Sequence, residues 1–226
     1  MKKFFILFAT ICCWHITNAD ACTSLLAGRG ATTDGSTFIT YAADSHTLYG
    51  SLVYIPATHY PENTMLEVKE WDTGKPLGLI PQVESTYAVM GNMNEYQLSI
   101  TESTWGGRPE LVDTTGIIDY GSLMFITLQR AKTAREAIKV MTDLVKKHGY
   151  YSSGESFSIA DPNEVWIMEM IGKGLHNKGA VWVAVRIPDD CISAHANQSR
   201  IHQFDMSDKE NCLYSHDVIS FAREKG

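Results

Sequence analysis

Apolar and polar residues alternate along the early chain with the period of two that is typical of half-buried strands. Short strands are predicted at 23–28, 37–41, 51–55, 87–90 and 98–101. The first two are separated by residues 32–36, where Asp34-Gly35 is a common hairpin-turn dipeptide. The pattern therefore predicts a β-hairpin whose first strand begins just after Cys22, and a polar, turn-rich connection from 56 to 81.

The hydrophobic period changes after residue 119. An apolar-rich run at 120–129 predicts a helix, and a capping box at Thr133-Ala134-Arg135-Glu136 opens a second helix that ends at Gly149. Further strands are predicted at 156–160, 165–169 and 181–185, and a C-terminal helix at 221–226 breaks off in mid-pattern. Strands, two helices and more strands predict one α+β domain, residues 22–226, in which helices cover antiparallel sheet. The interrupted last helix predicts a C-terminally truncated protein.

Residues 1–21 have the pattern of a secretory signal. A basic start is followed by an apolar run over 4–14 and by a small-x-small tripeptide that ends at Ala21. The apolar run is shorter than the roughly 20 residues that cross a bilayer. Cleavage after Ala21 predicts an exported protein, periplasmic or extracellular, that begins with Cys22.

A lipid anchor is the alternative interpretation of Cys22, because a bacterial lipoprotein also begins with cysteine. Its signal normally has Leu three places before the cysteine and small residues between. Here Ala19 takes that place and the charged Asp20 follows. A non-catalytic envelope lipoprotein acylated at Cys22 therefore stays the weaker hypothesis.

The charge balance limits the partners of the mature chain. Lys2, Lys3 and Asp20 fall in the signal, so 17 basic and 25 acidic residues remain, a net charge of −8. This acidity argues against nucleic acid and against a stable partner in an anionic membrane. No residue pattern predicts a metal, a nucleotide or another cofactor, and a homo-oligomer stays open.

Three cysteines remain after cleavage, and an odd number leaves at least one thiol unpaired in an oxidising compartment. If Cys191 and Cys212 form a bridge, Cys22 is the unpaired thiol. If Cys22 is bridged to one of the others, the chain is better described as a non-catalytic binding module.

An N-terminal cysteine carries a nucleophile and a base on one residue. A thiol has a pKa of about 8.5 and needs a base near neutral pH, whereas an α-amine has a pKa of about 7.7–8.0. Seven histidines follow Cys22, none at dyad or metal-ligand spacing, and they are predicted to be structural or exposed. Such a site still needs donors for the oxyanion of a tetrahedral intermediate.

Four ordered blocks of sequence stand out: Ala21-Cys22-Thr23-Ser24, Ala31-Thr32-Thr33-Asp34-Gly35-Ser36 with Asp44, Gly91-Asn92-Met93-Asn94-Glu95 with Glu102-Ser103-Thr104, and Ala194-His195-Ala196-Asn197-Gln198-Ser199-Arg200-Ile201. Together they resemble the secreted, cysteine-type dipeptidase family of N-terminal nucleophile (Ntn) hydrolases, with penicillin V acylases and bile-salt hydrolases as distant relatives. The resemblance implies a four-layer αββα sandwich. It also implies hydrolysis of short peptides through a thioester on Cys22, with acylase activity on N-acyl amino acids, penicillin V or bile-salt-type amides as the alternative.

The resemblance also implies roles for single residues. Cys22 matches the nucleophile, and Asp44 matches the aspartate beside the α-amine. Asn197 matches an asparagine that serves the oxyanion hole or positions the amine, and Thr104 falls near a second oxyanion donor. Asp44 and Asn197 are also compatible with simple turn residues.

The remaining matches concern substrate contacts and one missing cation. Asn94 is a substrate-binding candidate that could instead shape a turn, and Trp105 is a candidate for the border of the cleft. Many relatives carry Arg at the place of Tyr41, where it steadies the thiolate. Arg200 is the candidate for the replacing cation, unless it only pairs with a surface carboxylate or the α-amine carries more of the task.

Overall fold

The computed structural model describes residues 22–44 and 50–226, so the predicted signal lies outside the described residues. The helices are α1 (Tyr120–Leu128), α2 (Ala134–His148) and α3 (Val218–Lys225), with a short 3₁₀ helix at Pro109–Leu111. The strands are β1 (Ser24–Ala27), β2 (Phe38–Ile39), β3 (Tyr54–Ile55), β4 (Thr58–His59), β5 (Met65–Lys69), β6 (Pro76–Pro81), β7 (Ser85–Thr86), β8 (Val89–Met90), β9 (Met93–Asn94), β10 (Ser99–Gly106), β11 (Gly154–Ala160), β12 (Val165–Gly172), β13 (Ala180–Ile187), β14 (Ile192–His195) and β15 (Cys212–Tyr214).

An eight-stranded antiparallel sheet forms the centre of the fold. Its strand order is β15-β13-β12-β11-β10-β9-β8-β3. The long strands β10 to β13 send alternate side chains to opposite faces, and one face packs under α1 and α2. Phe157, Trp166 and Met168 from the sheet are buried there with Leu123 and Met141 from the helices.

The two predicted helices form because their capping residues and apolar positions agree. The side chain of Asp119 accepts from the backbone of Ser122, and that of Thr133 accepts from the backbone of Glu136. The apolar positions predicted for α2 are all buried in the core: Ala137, Ile138, Met141, Leu144 and Val145. The helix ends at Gly149, whose φ of 82° lies in the region that favours glycine.

A three-stranded antiparallel sheet, in the order β14-β1-β2, packs against the other face of the large sheet. The predicted hairpin is confirmed, because β1 pairs with β2. Leu26 from β1 is buried against Val165, Ile167 and Ile187 from the large sheet. Helices, large sheet and small sheet thus form an α+β fold with antiparallel sheets.

Some strands escape prediction because their hydrophobic pattern is weak. The connection from 56 to 81, predicted to be turn-rich, contains a hairpin of β5 and β6 that buries only Val68 and Ile80 fully. Strand β14 exposes Ile192 and Ala194 and buries His195, which reverses the usual preference. The bridge considered between Cys191 and Cys212 is not formed, because Cys191 is an exposed thiol and Cys212 a buried one.

His195 lies between the two sheets, where its Nε2 is 2.7 Å from Ser158 Oγ. Burial, with a smaller effect of the Arg200 charge, lowers its pKa from 6.5 to about 4. His195 is therefore neutral and structural at neutral pH.

Acid is expected to destabilise the fold through His195. Between its folded and unfolded pKa values only the unfolded state takes up the proton, so stability falls as the pH drops from about 6.5 to 4. The full loss is about 3 kcal/mol. Urea denaturation between pH 7 and pH 4 measures it, and His195→Gln should remove one proton's worth of the pH slope. An identical slope in that variant would contradict the assignment.

Candidate active site

Three segments of chain converge on Cys22. Cys22 lies two residues before the start of β1, and Thr23 forms a bridge with Ala42, which brings the segment after β2 alongside. Ser24 lies opposite His195 at the end of the β1–β14 pair. Asn197 follows two residues beyond His195, so it lies at the same end of the small sheet as Cys22. The hairpin and β14 therefore bring together Cys22, Asp44 and Asn197, which are far apart in sequence.

The Cys22 thiol is half-buried and its pKa is raised from 9.0. Burial is the largest cause, and the carboxylates of Glu102, Asp44 and Glu155 act in the same direction. A hydrogen bond from the Asp44 backbone N–H to the sulfur opposes them. The thiol is therefore protonated at neutral pH and needs a base to react.

Asn197 is held in place by its own backbone and by one side-chain hydrogen bond. Its φ of 48° is left-handed, a conformation that asparagine tolerates better than most residues. Its backbone N–H donates to Ser103 Oγ at 3.0 Å, and Nδ2 donates to the Thr104 carbonyl at 2.5 Å. Its buried Oδ1 has no partner among the described residues. That oxygen can accept from an amine, and the second Nδ2 hydrogen can serve an oxyanion.

Thr104 has a different contact from the one expected of an oxyanion donor. Its hydroxyl donates to Glu155 Oε1 at 2.9 Å. Because a hydroxyl has one hydrogen, the donor is already used, and this geometry makes Thr104 a positioning residue for Glu155.

Tyr41 occupies the place of the missing cation and contacts a carboxyl group. Its hydroxyl donates to Glu102 Oε1 at 2.5 Å. Burial raises the pKa of Tyr41 far above its usual value, so the side chain is a neutral donor. The position at which the family resemblance predicts Arg thus supplies a hydrogen bond here and no positive charge.

Arg200 is exposed and lies by the small sheet. Its backbone N–H donates to Glu169, and its side chain lines a cavity with Leu25, Phe38 and Ile192. The largest charge effects on the Cys22 thiol come from carboxylates, whereas the Arg200 charge acts on His195. The structure gives no support to Arg200 as the replacing cation.

Asn94 and Trp105, the two substrate-binding candidates, have structural contacts. Asn94 is buried, and its amide donates to the carbonyls of Leu128 and Ala131 and accepts from two backbone N–H groups. This favours the turn-shaping alternative. The Trp105 ring covers Gly154, where a Cβ would come within 2.5 Å of it, and lines a small cavity of about 120 Å³. That cavity lies on the face of the large sheet opposite to Glu155.

The sequence pattern does not predict Glu155 as a site residue, and it includes Glu102 only as part of a block that resembles the family. Both side chains are buried on adjacent strands of the large sheet. The available signal was one glutamate within each of two strands whose other polar residues are serine and threonine. Within 22–44 and 50–226, no group of His, Cys, Asp and Glu is arranged to hold a metal ion, and no helix is long and apolar enough to cross a membrane.

This fold and this site define an α+β protein with a half-buried thiol near a backbone donor and an asparagine. Residues 21–226 match the profile described as Peptidase family C69. The chain belongs to this family, which is one of cysteine-type dipeptidases.

Individual relatives agree with the family. The chain is 30% identical to a "Probable dipeptidase" of Latilactobacillus sakei, over 89% of this chain and 44% of that protein. It is 27% identical to a "Probable dipeptidase" of Salmonella dublin, over 100% and 54% respectively. A "Dipeptidase A" of Lactobacillus helveticus is 28% identical, over 87% and 44%. The chain thus spans about half the length of the curated relatives it matches.

Proposed function

We propose that the protein is an exported cysteine dipeptidase that cleaves short peptides through a thioester on Cys22. Removal of residues 1–21 would expose the Cys22 α-amine next to its own thiol. The observation that carries the proposal is the position of Cys22 just before β1. The Asp44 backbone N–H bonds its sulfur there, and Asn197 follows β14 at the same end of the small sheet.

The reaction would proceed in two balanced steps. The α-amine takes the thiol proton, and the sulfur attacks the peptide carbonyl to form a C–S bond. The oxyanion then collapses, the C–N bond breaks, and the α-ammonium gives its proton to the leaving nitrogen. In the second step the amine takes a proton from water, the hydroxide attacks the thioester, the C–S bond breaks, and the α-ammonium returns its proton to the sulfur to regenerate the thiol.

The raised thiol pKa supports the α-amine as the base. The thiol is not activated by a cation, so proton removal by a neighbouring group is required. His195, although close in register, is bound to Ser158 and has a pKa of about 4. It is too weak a base for a thiol of raised pKa. Asn197 Oδ1 is an acceptor suited to hold the α-amine in position.

The four-layer αββα arrangement is part of the proposal. It is supported by three layers in the order helix, large sheet and small sheet. Leu25, Phe38 and Ile192 are exposed apolar side chains on the small sheet, and a further layer of helices would cover them.

A hydrolysis panel tests the proposal against its acylase alternative. The protein that begins at Cys22 should cleave dipeptides faster than N-acyl amino acids, penicillin V or conjugated bile salts. Brisk cleavage of the acyl amides without dipeptide turnover would reject the dipeptidase assignment. The intact mass of the secreted protein tests the processing step, because an unmodified chain starting at Cys22 is expected. A diacylglycerol adduct would instead identify the lipoprotein.

A further inference from the structure

Two glutamates beside the Cys22 site are buried as neighbours. In the antiparallel pair of β10 and β11, Glu102 lies opposite Phe157, and Glu155 lies opposite Thr104. The two side chains therefore share one face of the sheet in adjacent positions. Glu102 is 3% exposed and Glu155 is 1% exposed.

Each of these carboxyl groups has one satisfied oxygen and one without a partner. Oε1 of Glu102 accepts from Tyr41, and Oε1 of Glu155 accepts from Thr104. Neither Oε2 atom has a donor among residues 22–44 and 50–226, and no ion pair of those residues includes either glutamate. Buried carboxylates are normally paired with a cation, so this site lacks a positive partner. Burial raises the pKa of both groups, which favours their protonated forms over two neighbouring charges.

Glu155 opens into a cleft of about 320 Å³. Its lining includes the acidic residues Glu70 and Asp72 and the hydroxyl residues Thr104 and Tyr120. Glu155 forms part of the cleft wall, and its unpartnered Oε2 is buried within that wall. No lysine or arginine lines it, so the cleft favours a positive ligand over an anion.

The position of the pair relative to Cys22 indicates which cation fits. Both glutamates are close enough for their charges to act on the thiol. In a dipeptide the α-nitrogen lies about 2.5 Å from the carbonyl carbon that a nucleophile attacks, two bonds away. A group that binds the α-ammonium must therefore lie near the nucleophile. Glu102 meets this condition through Tyr41, which donates to it and adjoins Ala42, the bridge partner of Thr23.

We propose that the Glu102–Glu155 pair binds the free α-ammonium group of a short peptide and restricts the Cys22 site to substrates with an unblocked amino terminus. The inference rests on the proposed function, and it adds the group that excludes N-acylated amides. An acylated nitrogen carries neither the charge nor the donors that satisfy two buried carboxyl oxygens.

Binding to an inactive protein tests this proposal separately from catalysis. In Cys22→Ala protein that begins at residue 22, calorimetry should show Ala-Ala binding about 10- to 100-fold more tightly than N-acetyl-Ala-Ala. Adding Glu155→Gln should remove most of that preference, whereas Glu84→Gln, whose side chain is 79% exposed and outside the cleft, should keep it. Equal binding of the two peptides, or an unchanged preference in Glu155→Gln, would overturn the proposal.

A kinetic comparison separates substrate binding from an effect on the enzyme's own α-amine. In Glu155→Gln and in Glu102→Gln, kcat/KM should fall for alanine p-nitroanilide and change little for its N-acetyl form. An equal fall for both substrates would mean that the glutamates serve Cys22 itself, and it would refute the role in substrate selection. If one of the two glutamine variants fails to fold, the other still provides this test. The comparison of the free and N-acetylated substrates in the protein with both glutamates needs neither variant. Activity that survives Cys22→Ala would reject the proposed function, whereas the binding measurement would still test the role of the glutamates.

Discussion

Replacement of Cys22 by alanine is expected to lower dipeptide turnover by about 10³-fold or more, to the level of the reaction without covalent catalysis. Alanine removes the sulfur proposed to form the thioester and leaves the neighbouring donors unchanged. Because the thiol is half-buried and small, the folded state should lose only about 1 kcal/mol. Initial rates with Ala-Ala, together with a urea denaturation curve, measure both quantities.

Two further variants define the role of this thiol. Cys22→Ser should retain a weak activity, since a hydroxyl is a poorer nucleophile in the same geometry. Cys191→Ala removes an exposed thiol by Asp190 and should leave the rate unchanged. A Cys22→Ala protein with near-normal turnover would end the assignment of Cys22 as nucleophile, and a dead Cys191→Ala protein would move it elsewhere.

The sequence predicts the local parts of this fold well because their signals are local. The capping side chain of Thr133 and the apolar period of α2 are complete within fifteen residues, and the structure confirms both. Strands β12 and β13 are equally recognisable, since they are largely buried and strongly apolar. The hairpin of β5 and β6 is stabilised by the packing of Val68 and Ile80 in the core, and residues close to them in the sequence do not predict those contacts.

The candidate site depends on register between distant strands, which the sequence does not encode locally. The pairing of β1 with β14 brings Cys22 and Asn197 to the same end of the small sheet, a proximity that their spacing in the sequence could not predict. The same limit explains Glu155, because only the β10–β11 register brings it beside Glu102 and Thr104.

Structural contacts also change the meaning of several matched residues. The Thr104 hydroxyl is used by Glu155, and the Tyr41 hydroxyl is used by Glu102, so both serve the pair of carboxyl groups. The place of the expected arginine is therefore taken by the neutral Tyr41 hydroxyl, which contacts a carboxyl group, and not by another cation. The surroundings of Cys22 are acidic, so the thiol depends on a base for its activation. The same acidity suits a cationic substrate.

A protein that retains a single extra residue, beginning at Ala21, is expected to lose at least about 10²-fold in turnover compared with the protein that begins at Cys22. The extra residue converts the basic α-amine into an amide nitrogen, which cannot take the thiol proton. The raised pKa of the Cys22 thiol makes this loss severe, because so little thiolate forms without a base. Rates with Ala-Ala and the intact mass of each protein give the comparison.

The pH dependence of the extended protein separates loss of the base from simple obstruction. If only the base is missing, the residual activity should rise with pH, because the thiol then loses its proton to the solvent. Iodoacetamide should also still alkylate Cys22. Because the thiol pKa is raised above 9.0, that rise should continue into alkaline solution. A blocked site would instead stay inactive and unlabelled at every pH. Full activity at neutral pH in a chain confirmed by mass to begin at Ala21 would contradict the α-amine as base, and one of the described side chains would then have to supply it.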